Sequence, residues 1–283
     1  MRLMHRLFAE TVGVLTIAAI GIAIAQAVSH GSPAPLIAAA PWIAASALIF
    51  GPTLVPDRLV ARTQRHPWPW YAAALGSLVL GFVVHWRAGI LATVGFVAML
   101  AYTLWFSRQH RPSSTVAVGD ALPDFPLLTV DGAAVTSAVL THHPHVILFY
   151  RGNWCPFCMA QVRGVAAQYR ELEQRGVRVA LISPQRAQDS EDLSRRFDAP
   201  MDFYVDAQGS AAKALDIVQA GGVPVTFGAG TNGDTVVPTI IITRADGTVA
   251  WLHHADDHRI RPEPSTFLEV IDREGIGVAR PTA

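Results

Sequence analysis

Cys155 and Cys158 are the only two cysteines of this chain, and they lie in the run Phe149-Tyr150-Arg151-Gly152-Asn153-Trp154-Cys155-Pro156-Phe157-Cys158. The apolar stretch from Val146 to Tyr150 reads as a strand. The residues from Cys158 to Gln174 carry apolar side chains at helical spacing and stop at Gly176, so the two thiols fall where a strand feeds a helix. At a helix start the unpaired amides and the positive end of the helix dipole favour thiolate over thiol. A thiolate is a nucleophile, and a second thiol one turn away can attack the mixed disulfide and release a partner as the internal bridge closes. On this reading Cys155 attacks and Cys158 resolves, with no cofactor beyond the two sulfurs.

The elements that must position this pair form an α/β domain over residues 113–283. Strands are expected at Val146 to Tyr150, Val177 to Ser183, Asp202 to Val205, Val237 to Thr243 and Thr248 to His253. Helices are expected at Cys158 to Gln174, Ala187 to Phe197 and Thr266 to Arg273. Arg244-Ala245-Asp246-Gly247 is a hairpin turn joining the last two strands. Gly221-Gly222 and Gly228 to Gly233 bracket a loop with no assignable element.

Trp154-Cys155-x-x-Cys158 between a strand and a helix resembles the active-site signature of the thioredoxin-like superfamily. Val118-Gly119-Asp120-Ala121-Leu122-Pro123-Asp124-Phe125 resembles the leading segment of its peroxiredoxin and alkyl hydroperoxide reductase (redoxin) branch, so the likeness covers roughly residues 116–275. It implies a thioredoxin-like fold, a central mixed sheet flanked by helices. It also implies a cis-proline at Val237-Pro238-Thr239, opposite the cysteines, with a neighbouring backbone free to pair with a substrate chain. Trp154, Pro156, Val237, Pro238, Thr239 and Arg151 become supporting residues around the pair.

The departures divide the functional reading. If Cys158 is aligned with the peroxidatic cysteine of a Pro-x-x-x-Thr-x-x-Cys motif, Cys155 stands at the threonine and Arg151 at the proline. The branch's activating arginine falls near Val237, which leaves Arg151 or Arg244 as substitutes. The Trp-Cys-x-x-Cys motif instead favours thiol-disulfide exchange, with a protein disulfide as substrate and a thiol reductant to regenerate the pair. Thiol-dependent reduction of hydroperoxides is the alternative.

A third reading is a copper or zinc carrier of the same fold, in which His253, His254 and His258 join the cysteines. The lack of a second Cys-x-x-Cys pair argues against a structural zinc site. The preferred reading has no metal, with those histidines solvated after the last strand and His142, His143 and His145 at the surface. Asp256, Asp257, Arg259 and Arg261 read as a salt-bridged, mixed-charge segment, and Arg151 is read evenly as a steering charge or a solvated one.

Residues 1–112 face a different solvent. Of the 283 residues 51% are hydrophobic and only 16% charged, more apolar than one ordinary soluble domain. Four apolar runs, 7–28, 36–55, 70–86 and 88–106, approach the roughly 17 to 25 residues that cross a bilayer as helix. Trp68, Trp70, Trp86 and Trp105 lie near run ends as interfacial anchors. Arg2, Arg6, Arg58, Arg62, Arg65, Arg108 and Arg111 fall on one side of a four-span arrangement and Arg87 on the other. This predicts a multi-pass cell-membrane protein, in contact with lipid, whose redox domain is cytoplasmic. With 22 basic and 22 acidic residues, no bulk charge draws it to nucleic acid.

Overall fold

The computed structural model describes residues 2–55, 64–109, 115–227 and 233–277, without the side chains of residues 2 and 4–6. Arg58, Arg62, Arg111, the side chains of Arg2 and Arg6, and residues 228–232 of the glycine-bracketed loop therefore lie outside the described residues. The chain divides into two compact units. One comprises residues 1–108 with 224–231, and the other comprises 109–223 with 232–283.

The first unit is helical. Helix α1 spans Arg2–Ser29, a 3-10 turn at Ala34–Ala39 runs into α2 (Ala40–Phe50), and α3 (Trp68–Val84) is followed by α4 (Trp86–Ala101), which ends in a π turn at Tyr102–Phe106. Three helical stretches, Leu7–Ser29, Ala34–Thr53 and Trp86–Phe106, are long and apolar enough to cross a membrane. The expected third span is α3, an apolar helix of 17 residues, about 26 Å at 1.5 Å per residue. Between α3 and α4 only His85 is extended, and its Nδ1 accepts the Arg87 N–H to cap the second helix.

Packing inside this unit depends on small residues. Ala23, Ala38, Ala45, Ala74, Ala88 and Ala92 are buried. A Cβ on Gly95 would lie 2.7 Å from the Trp42 ring, so this glycine is what lets the indole approach α4. The Trp42 Nε1–H donates to the Leu91 carbonyl at 2.9 Å. Thr16 and Ser46 share a hydroxyl hydrogen bond of 2.7 Å, and Tyr71 donates to Thr103 at 2.7 Å.

The second unit is built on a seven-stranded mixed sheet. Its strands are β1 (Pro126–Thr129), β2 (Ala134–Thr136), β3 (His145–Phe149), β4 (Arg178–Ser183), β5 (Asp202–Val205), β8 (Thr239–Thr243) and β9 (Val249–His254), and the short β6 (Val218–Gln219) and β7 (Thr235–Val236) pair separately. The order in the large sheet is β2-β1-β5-β4-β3-β8-β9. Strands β3, β4 and β5 run parallel, while β8 is antiparallel to β3 and β9 to β8. This mixed sheet with flanking helices is the expected thioredoxin-like fold. Every residue of β3 and β8 is buried, as strands covered on both faces must be.

The five anticipated strands are all present, shifted by at most two residues at an end. The hairpin turn also stands: Arg244 N–H donates to Thr248 at 2.8 Å, Gly247 N–H to Arg244 at 3.0 Å, and Gly247 sits at φ +80°. The expected 158–174 helix is two, α5 (Pro156–Ala167) and α6 (Tyr169–Gln174). They part at Gln168, whose N–H bonds three residues back to Val165 rather than four. After α7 (Ala187–Ser194) and α8 (Ser210–Ala214) comes α9, which begins at Pro264, two residues earlier than expected, because proline suits a first helical turn.

Three expectations fail in this unit. No described peptide bond is cis, so Val237–Pro238 is trans. The Val237 N–H donates to Ile217 at 2.7 Å and the Pro238 carbonyl accepts from Ala255 at 2.9 Å, which ties both sides of the proline into the fold. His145 is buried rather than at the surface, because it opens β3 and its Nδ1 bonds the His143 carbonyl at 2.8 Å. Burial holds its imidazole below the ordinary range, so it packs neutral. His253 and His254 lie in β9 and His258 is buried, so none is a solvated loop residue.

Candidate active site

Cys155 is the N-cap of α5 in extended geometry, Pro156 takes the first helical position, and Cys158 lies within the first turn. Proline has no N–H to leave unsatisfied there, and its φ is preset for the helix. Both cysteines are free thiols, and both are closed to solvent, at 1% and 0% exposure.

The turn entering the helix is tightly determined. Gly152 has φ +141°, and a Cβ there would meet the Trp154 Nε1 at 2.7 Å and the Gln185 Oε1 at 3.3 Å. Only glycine meets both conditions. Arg151 is buried at 6% exposure, which removes the solvated reading of this residue. Its guanidinium lies 4.6 Å from the Trp154 ring centroid and donates to the Gly222 carbonyl at 2.5 Å, and its own carbonyl accepts from the Thr235 hydroxyl at 2.9 Å. A Cβ on Gly222 would come within 2.6 Å of Thr235. The unassigned loop thus begins with a glycine whose close approach presents a carbonyl to Arg151.

A second arginine reaches the pair from far along the chain. Arg261 directs Nη2 to the Cys158 sulfur at 3.8 Å, and its Nη1 donates to the carbonyls of Ile260 at 2.9 Å and Asp257 at 3.3 Å. The turn carrying it is closed by Asp257 and Arg259, an ion pair of 2.8 Å whose side chains are 3% and 1% exposed. Such a pair is costly to desolvate and costlier to break from one side, so it fixes a local geometry. His258, between them, packs edge-on against Phe157 at 5.9 Å between ring centroids. The mixed-charge segment is salt-bridged as anticipated, but Arg261 belongs to the site.

These contacts separate the two thiols. Burial opposes a charge on Cys158, but the Cys155 thiol hydrogen bond, the Arg261 charge, and the backbone N–H and charge of Arg151 outweigh it and hold Cys158 down to about 5. Burial raises Cys155 well above the ordinary thiol range, reinforced by its bond to Cys158 and by the negative charge there. The surroundings therefore favour a charge on the second cysteine, whereas the motif alone puts the attacking sulfur on Cys155.

The remaining expected residues are placed as follows. Thr239 is fully buried, pairs with Phe149 at the end of β3, and bonds the Val237 carbonyl and His254 Nδ1, each at 2.9 Å. Val237 has its N–H on Ile217 and its carbonyl accepting from the Thr239 hydroxyl, so its backbone donor is taken and its acceptor already has a partner. Arg244 is held away at the other end of β8, donating to Glu274 at 3.0 Å. His253 stacks on Trp251 at 5.7 Å. Among the described residues no three His, Cys, Asp or Glu side chains gather to hold a metal ion.

Residues 118–252 match the model of the AhpC/TSA family. A Helicobacter pylori protein described as a peroxiredoxin, bcp, is 27% identical over 111 residues, 39% of this chain and 71% of that one. Reduced Prx3 from Vibrio vulnificus aligns with a TM-score of 0.49 at 19% identity over 56% of this chain and 99% of its own. Peroxidoxin BcpB from Mycobacterium tuberculosis aligns with a TM-score of 0.44 at 19% identity, over 59% and 97%. Arg261 lies beyond the matched segment.

Proposed function

We propose, from the premise that residues 118–252 are a redoxin domain of the AhpC/TSA branch, that this chain is a thiol peroxidase in which Cys158 attacks and Cys155 resolves. The observation that carries the reading is that Arg261 directs its guanidinium at the buried Cys158 sulfur, within the first turn of the helix that Cys155 caps. The Cys158 thiolate attacks one oxygen of a hydroperoxide, the O–O bond breaks, and the leaving alkoxide takes a proton to become an alcohol or water. Cys158 is left as a sulfenic acid. Cys155 then attacks that sulfur, water departs, and a Cys155–Cys158 disulfide forms. Two electrons from an external thiol reductant reopen it.

Burial supports a peroxide over a protein disulfide as the oxidant. A peroxide can reach a sulfur with no exposed surface, whereas a protein disulfide must bring two chains alongside it, and the Val237 backbone that would pair with such a chain is engaged. Arg261 is placed to offset negative charge developing on the leaving oxygen in a site closed to water.

The helical unit fits a membrane anchor, with three stretches long and apolar enough to span. Many of its buried residues are small, with Trp42, Met99 and Tyr102 among them, while Val14, Ile17, Val28, Val79, Val83 and Val97 are exposed, the arrangement expected where lipid rather than water is outside. With α3 as a fourth span, Arg65 and Arg108 fall on one side of the membrane and Arg87 on the other, which favours a cytoplasmic redox domain. A carboxy-terminal reporter active only in the cytoplasm should work, and activity from a reporter that needs the opposite side would overturn the orientation.

Rapid mixing of the reduced full-length chain in detergent with hydrogen peroxide, against a model disulfide, tests the chemistry. Fast peroxide oxidation that survives Cys155→Ser and is lost in Cys158→Ser supports the peroxidase. Slow peroxide oxidation with fast disulfide exchange, trapped as a mixed disulfide in Cys158→Ser, would restore Cys155 as the nucleophile.

A further inference from the structure

Gln185, two residues beyond β4, belongs to no motif and touches neither sulfur, yet the turn that precedes the cysteines rests on it. Its Oε1 accepts the Asn153 backbone N–H at 2.8 Å, and its Nε2 lies 3.0 Å from each of the Asn153 Oδ1, the Tyr150 hydroxyl and the Ser190 hydroxyl. Asn153 is tied in turn to the Asp189 carbonyl at 2.6 Å. One amide therefore grips both the backbone and the side chain of the residue after Gly152, and anchors them to the end of β3 and the first turns of α7. Its Oε1 also stands 3.3 Å from where a Gly152 Cβ would sit, after the Trp154 ring at 2.7 Å.

We propose that Gln185 is a positioning residue for the reacting thiolate, holding the Gly152–Asn153 turn, whose Gly152 carbonyl accepts the Cys155 N–H at 3.1 Å, so that the start of the cysteine helix is set with Cys158 against the Arg261 guanidinium. The Arg261 donor rewards a thiolate only when the sulfur is held in its line, since hydrogen bonds weaken steeply below about 120°. Gly152 alone would leave the turn free to move, because glycine restricts its backbone least. Gln185 supplies the restraint that glycine lacks. The Arg151 carbonyl is fixed independently by Thr235, so loss of Gln185 releases one side of the turn and not the whole.

The inference rests on Cys158 being the thiolate and not on which oxidant it meets, so its test uses alkylation. In the full-length Cys155→Ser chain Cys158 is the only thiol, and the pH dependence of its reaction with iodoacetamide reports its titration. Gln185→Met, similar in length but without the amide, should move the midpoint upward by about one pH unit. It should also slow peroxide oxidation several-fold below the new midpoint. Ser190→Ala removes one outer contact of the same amide and leaves both Asn153 bonds, so it should move the midpoint little even where it lowers the melting temperature. A purely structural Gln185 would lower the melting temperature and leave the Gln185→Met profile superimposed on its parent, which would overturn the inference alone. A parent midpoint in the ordinary thiol range would overturn the Cys158 reading and the inference with it. If Gln185→Met does not fold, Asn153→Ala, which cuts the side-chain half of the grip, must give a smaller upward shift, and an unmoved midpoint there counts against the proposal.

Discussion

The two units bury opposite kinds of side chain. Inside the helical unit lie mostly alanines, glycines and a few hydroxyl pairs around Trp42, Met99 and Tyr102, while large aliphatic residues such as Ile17, Val79 and Val83 face outward. In the redox unit Phe125, Phe149, Leu181, Ile182 and Phe267 are inside, and with them, unusually, Arg151, Asp257 and Arg259. Burial of large apolar area drives folding in water by roughly 25 cal/mol per Å². That term is absent between helices in lipid, where close approach and hydrogen bonds replace it. Buried charge is therefore the informative exception in the redox unit, and apart from Asp206, which accepts from the first turn of α8, it lies in the turns that carry Arg151 and Arg261.

The contrast breaks most completely at the Cys158 sulfur. Cys158→Ser should reduce peroxide consumption to background while the fold persists. Cys155→Ser should keep the first oxidation but stop at a sulfenic acid that a dimedone-type reagent captures. Cys155→Ala should react more slowly than Cys155→Ser, because serine retains a donor to the Cys158 sulfur and alanine does not. If alanine and serine react alike, the Cys155 hydrogen bond contributes nothing to the thiolate.

Arg261→Met comes next. It removes the charge beside Cys158 and keeps the stem that packs, so the peroxide rate should fall on the order of tenfold to a hundredfold. In the parent chain the rate should be nearly flat above pH 6 and fall as pH drops through about 5, because protonation removes the thiolate held there. In Arg261→Met the fall should begin at higher pH. An unshifted profile would show that Arg261 does not stabilise the thiolate.

How much of this was legible in sequence follows from the range of each interaction. The strands and the Arg244–Gly247 turn are local patterns, and they were read correctly. The β1–β2 hairpin was missed, because three or four residues per strand carry too little alternation to stand out. The cysteine pair was visible, but which sulfur holds the charge was not, since that depends on Arg261, 103 residues away. Its segment reads as salt-bridged mixed charge outside the site, because nothing local shows that Asp257 and Arg259 pair inside the fold or that Arg261 reaches the sulfur. Gly222 offered one signal, a paired glycine in a loop otherwise without pattern, whose meaning appears only when its carbonyl meets Arg151.

Gly95→Val sharpens the helical side of the comparison. The added atoms would press on the Trp42 ring, and overpacking of this kind costs about 1–3 kcal/mol. The detergent-solubilised chain should lose helical stability by that amount, with the peroxide rate unchanged. Val97→Ala, at an outward position, should cost much less. Equal costs at the two positions would mean that α4 does not pack through its glycine face.

The smallest expected effect separates exposed charge from buried charge within the redox unit. Arg175 grips Asp272 through both oxygens, at 2.7 and 2.9 Å, but the pair is open to solvent. Its strength is therefore screened, and Asp272→Asn should cost about 0.5 kcal/mol at pH 7. The Arg175 hydrogen bond holds the Asp272 carboxyl below its ordinary range. That contribution is fully present above the unfolded carboxyl value and is lost as pH falls through the lower folded one. Parent and variant melting curves should accordingly differ slightly at neutral pH and converge in acid. Asp257→Asn, made on the buried pair, should cost several times as much at pH 7, because it leaves Arg259 charged and inside. Similar losses from the two substitutions would show that the turn carrying Arg261 is not fixed by its buried pair.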